Sequence, residues 1–361
     1  MLRVFLVVLV VSLAGCTGGG TPVMSNPPPP PGPPAPVPFR VETFIGQANF
    51  PVAMAFSPDG RLFYNELQTG SVRVVENGML LAQAFTTLGN LNTSGERGLL
   101  GLALDPQFAS NRFVYVYYSD LTNGHRIVRF TEVNNLGTNM TVLVDNLPST
   151  SVHNGGNIGF GPDGKLYLTI GDNQDPANSQ TSSSVSGKIL RFNADGTVPT
   201  DNPFGAANPA FNLGLRNSFD FTFHPQSGVI YASENGPNCD DEINRVVAGA
   251  NYGWRPMYPC GDNDAQFRAP IVRFNPVIAP TGITFYTGTR FPQFTGNLFL
   301  VNFNNPGRVV RFVVDDAQMG NITFSETVVD GGFGSLLDIV QAPDGNIYFS
   351  SATAIHRIVP Q

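Results

Sequence analysis

The chain has 361 residues, of which 42% are hydrophobic and only 13% are charged, and its formal net charge is −7. No basic excess is available to neutralise phosphate groups, which argues against a nucleic-acid partner. The 39 glycines and 30 prolines, together with frequent Val and Phe, favour short strands and turns over long helices. By length alone the chain would hold about two domains of ordinary size.

The first 16 residues have the pattern of an export signal. Arg3 supplies a positive charge, residues 4–13 are apolar, and the tetrad LAGC ends at Cys16. The apolar run is too short to span a bilayer as a stable helix. The tetrad resembles a bacterial lipobox, which predicts that Cys16 is lipidated; an ordinary secretory signal with a chance cysteine is the alternative. We therefore expect an exported bacterial lipoprotein of the cell envelope, held at a membrane only by its lipid.

Residues 17–38 are rich first in glycine and then in proline. A segment of this composition cannot build a core, so we expect an extended spacer between the lipid anchor and the folded domain. The domain itself is then expected over residues 39–361.

A turn followed by an alternating strand recurs six times along the predicted domain. Hydrophobic markers of the six copies lie 48 to 63 residues apart, at Phe56, Leu104, Phe160, Phe223, Phe285 and Val340. Four short strands fit in such an interval, and self-similarity at this period is typical of a propeller. A pair of β-sandwiches would not repeat one turn motif six times. The sequence therefore predicts an all-β fold, a single six-bladed β-propeller in which residues 39–42 pair with the last blade.

Three cysteines occur in the chain. If Cys16 is lipidated, Cys239 and Cys260 remain as an even pair in an oxidising compartment. A disulfide between them is predicted. Two free thiols or a metal pair are less favoured, because no His or further Cys lies nearby in the sequence. The bridge would enclose a segment that we expect to line one end of the central channel.

Seven motifs occur in a specific order along residues 40–358. They are GERGLLGLALDPQF (95–108), HNGG (153–156), LYLTIGD (166–172), GKILRFNADGTVPTDNPF (187–204), GLRN (214–217), ENGPNCDDEIN (234–244) and ANYGW (250–254). The set resembles the soluble glucose/sorbosone dehydrogenases, also called aldose sugar dehydrogenases, which use pyrroloquinoline quinone (PQQ) and calcium. The resemblance implies oxidation of an aldose sugar at its anomeric carbon by hydride transfer to PQQ. It leaves open which sugar is oxidised and whether the electron acceptor is soluble or in the membrane.

The resemblance also implies roles for single residues. His153 would be the general base that takes the proton of the anomeric hydroxyl, which suits an imidazole because it is neutral and basic near neutral pH. Asp172 would orient His153, and Arg216 would stabilise negative charge on the quinone oxygen. The residues implied at the ligands are Glu96 near the substrate, Asn217 and Asn235 at the cofactor, and the backbone carbonyls of Gly236 and Pro237 at calcium.

Several positions depart from the family pattern. PQQ carries three carboxylates, which related soluble enzymes hold with one lysine and two arginines. The aligned positions here are Asn304, Ser335 and Leu337, and a glutamine expected after GLRN is also missing. Charge-assisted contacts to carboxylates are among the strongest polar contacts, so their loss should weaken PQQ binding. Arg290 and Arg308 are candidates to substitute for them.

Simpler interpretations remain open for the same residues. Asp172 could cap a turn, and Arg216 could form an ion pair with Asp220 or Glu234. The acidic run 240–242 could be a solvated face, although it lies next to the predicted channel. Among the other histidines, we expect His224 and His356 to be structural and His125 to be solvated in a polar loop.

Three functions of different classes follow. The first is a membrane-tethered PQQ sugar dehydrogenase, favoured by His153, Asp172 and Arg216. The second is a catalytically degenerate propeller that binds a carbohydrate or a protein, favoured by the missing carboxylate partners. The third is a calcium-dependent propeller hydrolase such as a lactonase, which the motifs do not match.

Overall fold

The computed structural model describes residues 36–361, so the predicted lipid site at Cys16 and most of the predicted spacer lie outside the described residues. The strands, in chain order, are β1 (Phe39–Ile45), β2 (Pro51–Phe56), β3 (Leu62–Glu66), β4 (Ser71–Glu76), β5 (Met79–Leu80), β6 (Thr86–Thr87), β7 (Leu99–Leu104), β8 (Phe113–Asp120), β9 (Gly124–Val133), β10 (Leu136–Leu147), β11 (Ile158–Phe160), β12 (Leu166–Ile170), β13 (Lys188–Phe192), β14 (Ser218–Phe223), β15 (Ile230–Glu234), β16 (Asp241–Val246), β17 (Val272–Phe274), β18 (Pro280–Phe285), β19 (Leu298–Asn302), β20 (Arg308–Asp315), β21 (Asn321–Asp330), β22 (Leu336–Gln341), β23 (Ile347–Ser351) and β24 (Ile355–Pro360). Helices are short: α1 (Phe108–Asn111), α2 (Pro176–Gln180) and two 3₁₀ turns, Pro292–Phe294 and Asp316–Gln318. None of the helices in this part of the chain is long and apolar enough to cross a membrane.

The strands form six antiparallel sheets, which are the blades of a propeller. Blade 1 is β2–β6, blade 2 is β7–β10, blade 3 is β11–β13, blade 4 is β14–β17, blade 5 is β18–β21, and blade 6 is β22–β24 with β1. The innermost strands β2, β7, β11, β14, β18 and β22 contact one another in sequence, and β22 contacts β2, which closes the ring. The predicted six-bladed propeller is therefore confirmed. Five of the six sequence markers are the last residues of these innermost strands, and Val340 is the last but one of β22.

The ring is closed by the first and last strands of the described chain. Strand β1 pairs with β24 in an antiparallel register that sets Glu42 opposite Arg357. Their side chains form an ion pair with an N–O distance of 2.6 Å. The predicted pairing of residues 39–42 with the last blade is thus confirmed. Contacts begin slightly before it, because the backbone N–H of Val37 donates to the side chain of Gln293 in blade 5.

Polar side chains tie the blades together close to the channel. The innermost strands of five blades contain register shifts, which leave backbone groups without a partner in the ladder. Asn65 accepts from the N–H of Ala53 and donates to the carbonyl of Leu100 in blade 2, both at 2.7 Å. Ser233 donates to the carbonyl of Thr281 in blade 5 at 2.6 Å. These buried groups satisfy the backbone and join one blade to the next.

Apolar side chains fill the spaces between blades. Between blades 5 and 6, for example, Phe294, Phe299 and Phe349 belong to one buried cluster. A side chain of this kind stabilises the fold by about 1.5–3 kcal/mol when it is fully buried. The aromatic-rich composition therefore supplies the packing that a propeller needs between its flat sheets.

Blade 3 lacks a regular outer strand. Its sheet has three strands, and a long loop after β13 takes the outer position, with Ala210 bridging to Leu190. Arg191, in β13, forms an ion pair with Asp201 of this loop at 2.8 Å. It also pairs with Asp163, in the turn between β11 and β12, at 2.9 Å. The same loop leads the chain back to the channel at Arg216, so the irregular blade supplies much of the candidate site.

Candidate active site at the channel mouth

His153 and Asp172 form a hydrogen-bonded pair at one end of the channel. His153 Nδ1 lies 2.7 Å from Asp172 Oδ1, and the Asp172 side chain is only 1% exposed. An ionised carboxylate can only accept, so His153 Nδ1 carries the proton and Nε2 keeps a free lone pair. The two residues predicted as catalytic therefore meet as expected, with the imidazole set up to accept a proton at Nε2.

His153 has a backbone conformation that few non-glycine residues adopt. Its φ is 58°, in the left-handed region, which costs on the order of 1–3 kcal/mol unless its surroundings hold it. Glu96 accepts a hydrogen bond from the His153 N–H at 2.7 Å, and Asn173 donates to the His153 carbonyl at 3.3 Å. Hydrogen bonds to its N–H and to its carbonyl thus hold His153 in the left-handed conformation. Glu96, predicted to lie near the substrate, directly orients the histidine backbone.

The two glycines of HNGG are required by close backbone packing. A Cβ at Gly155 would lie 2.1 Å from the carbonyl oxygen of Thr169, and one at Gly156 would lie 2.1 Å from that of Phe219. No side chain fits at either position. The two glycines therefore allow the loop that carries His153 to pack closely against β12, the strand that leads to Asp172.

Asp172 has two further donors. Its Oδ1 accepts from the N–H of Gln174 at 2.9 Å, and its Oδ2 accepts from Trp254 Nε1 at 2.8 Å. Trp254 was not predicted as a site residue, although it is the last residue of the ANYGW motif and the only tryptophan in the chain. The carboxylate is therefore part of the site and does more than cap a turn.

A buried lysine supports the loop that carries the pair. Lys188 is fully buried, and its Nζ donates to the carbonyls of Asn178 and Ser186, each at 2.8 Å. The Ser186 hydroxyl in turn donates to Asn173, which holds His153. Burial lowers the pKa of Lys188 to about 8. This lysine lies in the GKILR motif and is a second residue that the sequence prediction missed.

Arg216 lies beside the pair. Its backbone carbonyl accepts from the Asp172 N–H at 2.6 Å, and its guanidinium lies 5.5 Å from the centre of the Trp254 ring. One guanidinium nitrogen donates to the backbone carbonyls of Asn235 at 2.9 Å and Gly236 at 2.7 Å. The predicted neighbourhood of His153, Asp172 and Arg216 is thus present in the structure.

The simpler interpretation of Arg216 as an ion-pair partner is wrong. Asp220 accepts instead from the N–H of Ile283 and the side chain of Asn157, both at 2.9 Å. Glu234 contacts Arg216 only through the backbone, because its Oε1 accepts from the N–H groups of Arg216 at 2.6 Å and Asn217 at 2.8 Å. The guanidinium is therefore not neutralised by either carboxylate.

A small polar cavity of about 20 Å³ adjoins Arg216. Gly236 and Pro237 line it together with Glu234, Asp240 and Glu242. Glu234 Oε2 is buried and has no hydrogen-bond partner in the described part of the chain. Burial raises the pKa of Glu234 to about 8 and that of Glu242 to about 7, and the charge of Glu242 contributes to the shift of Glu234.

Two questions that the sequence left open concern this region: whether residues 240–242 form a solvated face, and which groups could hold a cation. Asp240, Asp241 and Glu242 are all buried, so the acidic run is not a solvated face. Residues 36–361 contain no group of three or more His, Cys, Asp or Glu side chains placed to hold a metal ion. A cation here would therefore depend on the backbone carbonyls of Gly236, which also accepts from Arg216, and Pro237, and its binding would displace the protons that burial favours on Glu234 and Glu242.

The predicted disulfide is present. Cys239 and Cys260 are bonded, with their Cα atoms 6.0 Å apart. The enclosed segment carries Trp254 and Tyr258, both of which line the 20 Å³ cavity. The bridge thus closes the segment that contributes the indole donor to Asp172, at the end of the channel where it was expected.

A cavity of about 310 Å³ is lined by residues of the innermost strands β2, β7, β18 and β22. We call it the central cavity. Glu96, Asn217 and Asn235, three of the five residues predicted to contact ligands, line it, whereas Gly236 and Pro237 do not. Asn217 Oδ1 accepts from the N–H of Gly155 at 3.0 Å, so this asparagine is tied to the histidine loop.

The rest of the central cavity is mainly apolar. Six of its lining side chains, Phe50, Val52, Leu67, Leu100, Phe303 and Leu337, form what we call the apolar wall. Of the described residues that line the cavity, none is Lys or Arg. Asn304 and Ser335 do not line it, whereas Leu337 does.

The candidate substitutes for the missing cations are engaged elsewhere. Arg308 forms an ion pair with Asp330 at 2.7 Å, and Arg290 donates to the carbonyl of Asp344 at 3.1 Å. Neither lines the central cavity.

One histidine prediction is wrong. His125 is fully buried, and its ring nitrogens contact Ser119 at 3.0 Å and Asn154 at 2.9 Å. Burial lowers the pKa of His125 to about 4. The residues around it look polar in sequence, but His125 belongs to β9, and its ring packs against Asn154 of the HNGG motif. His224 and His356 are buried within blades, as expected for structural residues.

Comparison with known proteins assigns the chain to one family. Residues 48–359 match the family described as Glucose / Sorbosone dehydrogenase. The quinoprotein glucose dehydrogenase B of Acinetobacter calcoaceticus is 30% identical, over 80% of this chain and 68% of that protein. The aldose sugar dehydrogenase of Escherichia coli is 27% identical, over 87% of this chain and 90% of that protein. The PQQ-bound aldose sugar dehydrogenase of Streptomyces coelicolor superposes with a TM-score of 0.81 at 26% identity, covering 91% of this chain and all of that one.

Proposed function

The chain belongs to the glucose/sorbosone dehydrogenase family, and we propose that it is a quinoprotein that oxidises aldose sugars at the anomeric carbon with PQQ and calcium. The observation that carries the proposal is the His153–Asp172 pair, with Nδ1 and Oδ1 2.7 Å apart and Arg216 beside it. Relatives named as quinoprotein or aldose sugar dehydrogenases support the choice of reaction.

The residues beside Arg216 fit the reactive part of the cofactor and its cation. The guanidinium is a fixed positive charge for an oxygen that gains negative charge. Gly236 and Pro237 line the adjoining cavity, where the Gly236 carbonyl keeps a second lone pair besides the one that accepts from Arg216, and the unpartnered buried Glu234 Oε2 would be stabilised in its ionised form by a cation bound there. Arg216, Asn217 and Asn235 would hold PQQ, and Gly236 and Pro237 would hold calcium.

When bound, PQQ supplies a quinone that accepts the hydride of the sugar C1–H bond. The chain's own part is to manage the proton. His153 Nε2 takes the proton of the anomeric hydroxyl, so that the sugar leaves as a lactone. Asp172 stabilises the imidazolium that forms, and Trp254 and Gln174 keep the carboxylate aligned. The exposed carboxylate of Glu96 is available to accept from a sugar hydroxyl.

Reconstitution tests the proposal. Wild-type protein loaded with PQQ and CaCl₂ should oxidise aldoses with an artificial dye as acceptor. The substitution His153→Ala should lower kcat about 10²–10⁴-fold, because it removes the general base. His224→Gln is the matched control, since that histidine lies within a blade and should leave kcat unchanged. Equal rates for wild type and His153→Ala would refute the assigned role.

A second function is favoured by one observation. No Lys or Arg lines the central cavity among the described residues, so the carboxylates of PQQ have no charge partner in it. A chain that binds no PQQ at saturating calcium would be a degenerate propeller that binds a carbohydrate or a protein. The same reconstitution separates the two functions.

We also propose that the protein is a lipid-anchored lipoprotein of the cell envelope. The proposal rests on the LAGC tetrad and the Gly/Pro-rich residues 17–38 of the sequence. Cys16→Ser should move the protein from the membrane fraction to the soluble fraction. A wild-type N-terminal peptide without lipid in mass spectrometry would contradict the proposal.

A further inference from the structure

The central cavity has a polar part and an apolar part. Its polar residues, among them Glu96, Asn217 and Asn235, accompany the apolar wall. Two members of that wall, Phe50 and Phe303, pack with ring centroids 6.4 Å apart. The only ionisable side chain that lines the cavity in the described chain is Glu96, which is an acid. Among the described residues that line the cavity, no side chain is positively charged, so an anionic ligand has no charge partner in the lining.

This lining disfavours three ionised carboxylates. An ionised carboxylate against apolar surface loses its hydration and gains no hydrogen bond in return. A charge-assisted partner would compensate, but Leu337 stands at one aligned position, and neither Arg290 nor Arg308 lines the cavity. The cavity offers instead aromatic and aliphatic surface, which binds a flat uncharged ring by removing both from water.

We infer that the apolar wall, through Leu337 and Phe303, makes this site specific for a quinone whose carboxylates are neutralised, and that ring burial rather than carboxylate pairing carries the affinity. The inference rests on the proposed function, because Arg216 and the adjoining cation cavity are taken to hold the reactive end of the quinone. PQQ itself then binds through that end alone, and more weakly than its uncharged form.

The chain contains its own reporter for a binding test. Trp254 is the only tryptophan, and it lies beside Arg216 and Asp172. A quinone bound at Arg216 should quench its fluorescence without any turnover. We would titrate the full chain in CaCl₂ with PQQ and, separately, with the trimethyl ester of PQQ, at low and high salt.

For wild type we expect the ester to bind at least about 10-fold more tightly than PQQ, with little salt dependence. Leu337→Arg should strengthen PQQ binding by about 10-fold or more and reverse the preference, because it adds a charge-assisted partner. Leu337→Met keeps the volume and adds no charge, so it should retain the wild-type preference. Phe303→Lys is a second test at a side chain that is already 40% exposed, where a charge is compatible with folding.

The outcomes separate the two proposals. Tighter, salt-dependent binding of PQQ by wild type would overturn the inference and leave the proposed function standing. If folded wild type is quenched by neither quinone and shows no dye-linked oxidation, both the inference and the proposed function fail. An ester preference that Leu337→Arg and Phe303→Lys leave unchanged would also overturn the assignment to these two residues.

Discussion

Two groups of buried carboxylates lie along the same channel, and they have different hydrogen-bond partners. At the mouth, Asp172 is 1% exposed and faces His153 and Trp254. Deeper, on the innermost strands β14 and β22, Asp220 and Asp338 are 4% and 2% exposed. Burial is nearly the same for all three, so burial does not tell which of them belongs to a reactive site.

Their partners make the difference. Asp220 accepts from the N–H of Ile283 in blade 5, and Asp338 accepts from the N–H of Met54 in blade 1 at 2.6 Å. Each thus ties its own blade to the next. Asp172 instead accepts from an imidazole and an indole that both have a second role at the site. A buried acid is functional here when its donors are themselves chemically active side chains.

Replacing the Asp172 carboxylate at the channel mouth should have the largest effect on turnover. Asp172→Asn replaces one accepting oxygen by an NH₂ donor, so His153 loses the partner that fixes its tautomer and stabilises its protonated form. We expect kcat to fall about 10²–10⁴-fold. Stability should also fall, by about 1–3 kcal/mol, because the carboxylate accepts from three donors and the new NH₂ group faces one of them in a buried site. Dye-linked turnover of the PQQ- and calcium-loaded protein, with thermal unfolding of the same samples, measures both.

The matched control is Asp220→Asn, which removes a carboxylate of equal burial from the channel interior. It should keep turnover within about 3-fold of wild type. Equal loss of turnover in both variants would mean that the contrast between mouth and interior is wrong.

The sequence predicted the fold better than it predicted the polar interior. Regular spacing of Phe56, Leu104 and the other markers identified the blades, because every innermost strand ends at a similar turn. The His153–Asp172 pair followed from the family resemblance, not from spacing alone. His125 was predicted to be solvated, since nothing local indicates that Asn154 would cover it.

The site residues that were missed depend on long-range contacts. Trp254 reaches Asp172 across 82 positions of the sequence, and its motif gives no sign of that contact. Likewise, the sequence identified Leu337 as a departure from a family pattern, but only the structure shows that it belongs to a mainly apolar wall. Propeller channels gather residues from all blades, so local patterns cannot predict their chemistry in full.

The interior carboxylates should produce a smaller effect that depends on pH. Burial raises the pKa of Asp220 to about 6 from its usual 3.8, and burial together with the charge of Asp220 raises the pKa of Asp338 well above the usual value. The groups that oppose the shift of Asp220 are the N–H of Ile283, the N–H of Phe221 and the Asn157 side chain, none of them charged.

Because the folded chain holds these protons more tightly than the unfolded chain, the stabilisation is complete below about pH 4 and is lost as the pH rises through about 6. Urea unfolding of wild type at pH 4.5, 5.5, 6.5 and 7.5 should therefore show a component that weakens with rising pH. Asp220→Asn should weaken this component without removing it, because the amide does not titrate while Asp338 remains buried with a raised pKa. Parallel pH curves for wild type and Asp220→Asn would contradict the raised pKa of Asp220, and with it the view that protonated acids in the channel interior hold neighbouring blades together.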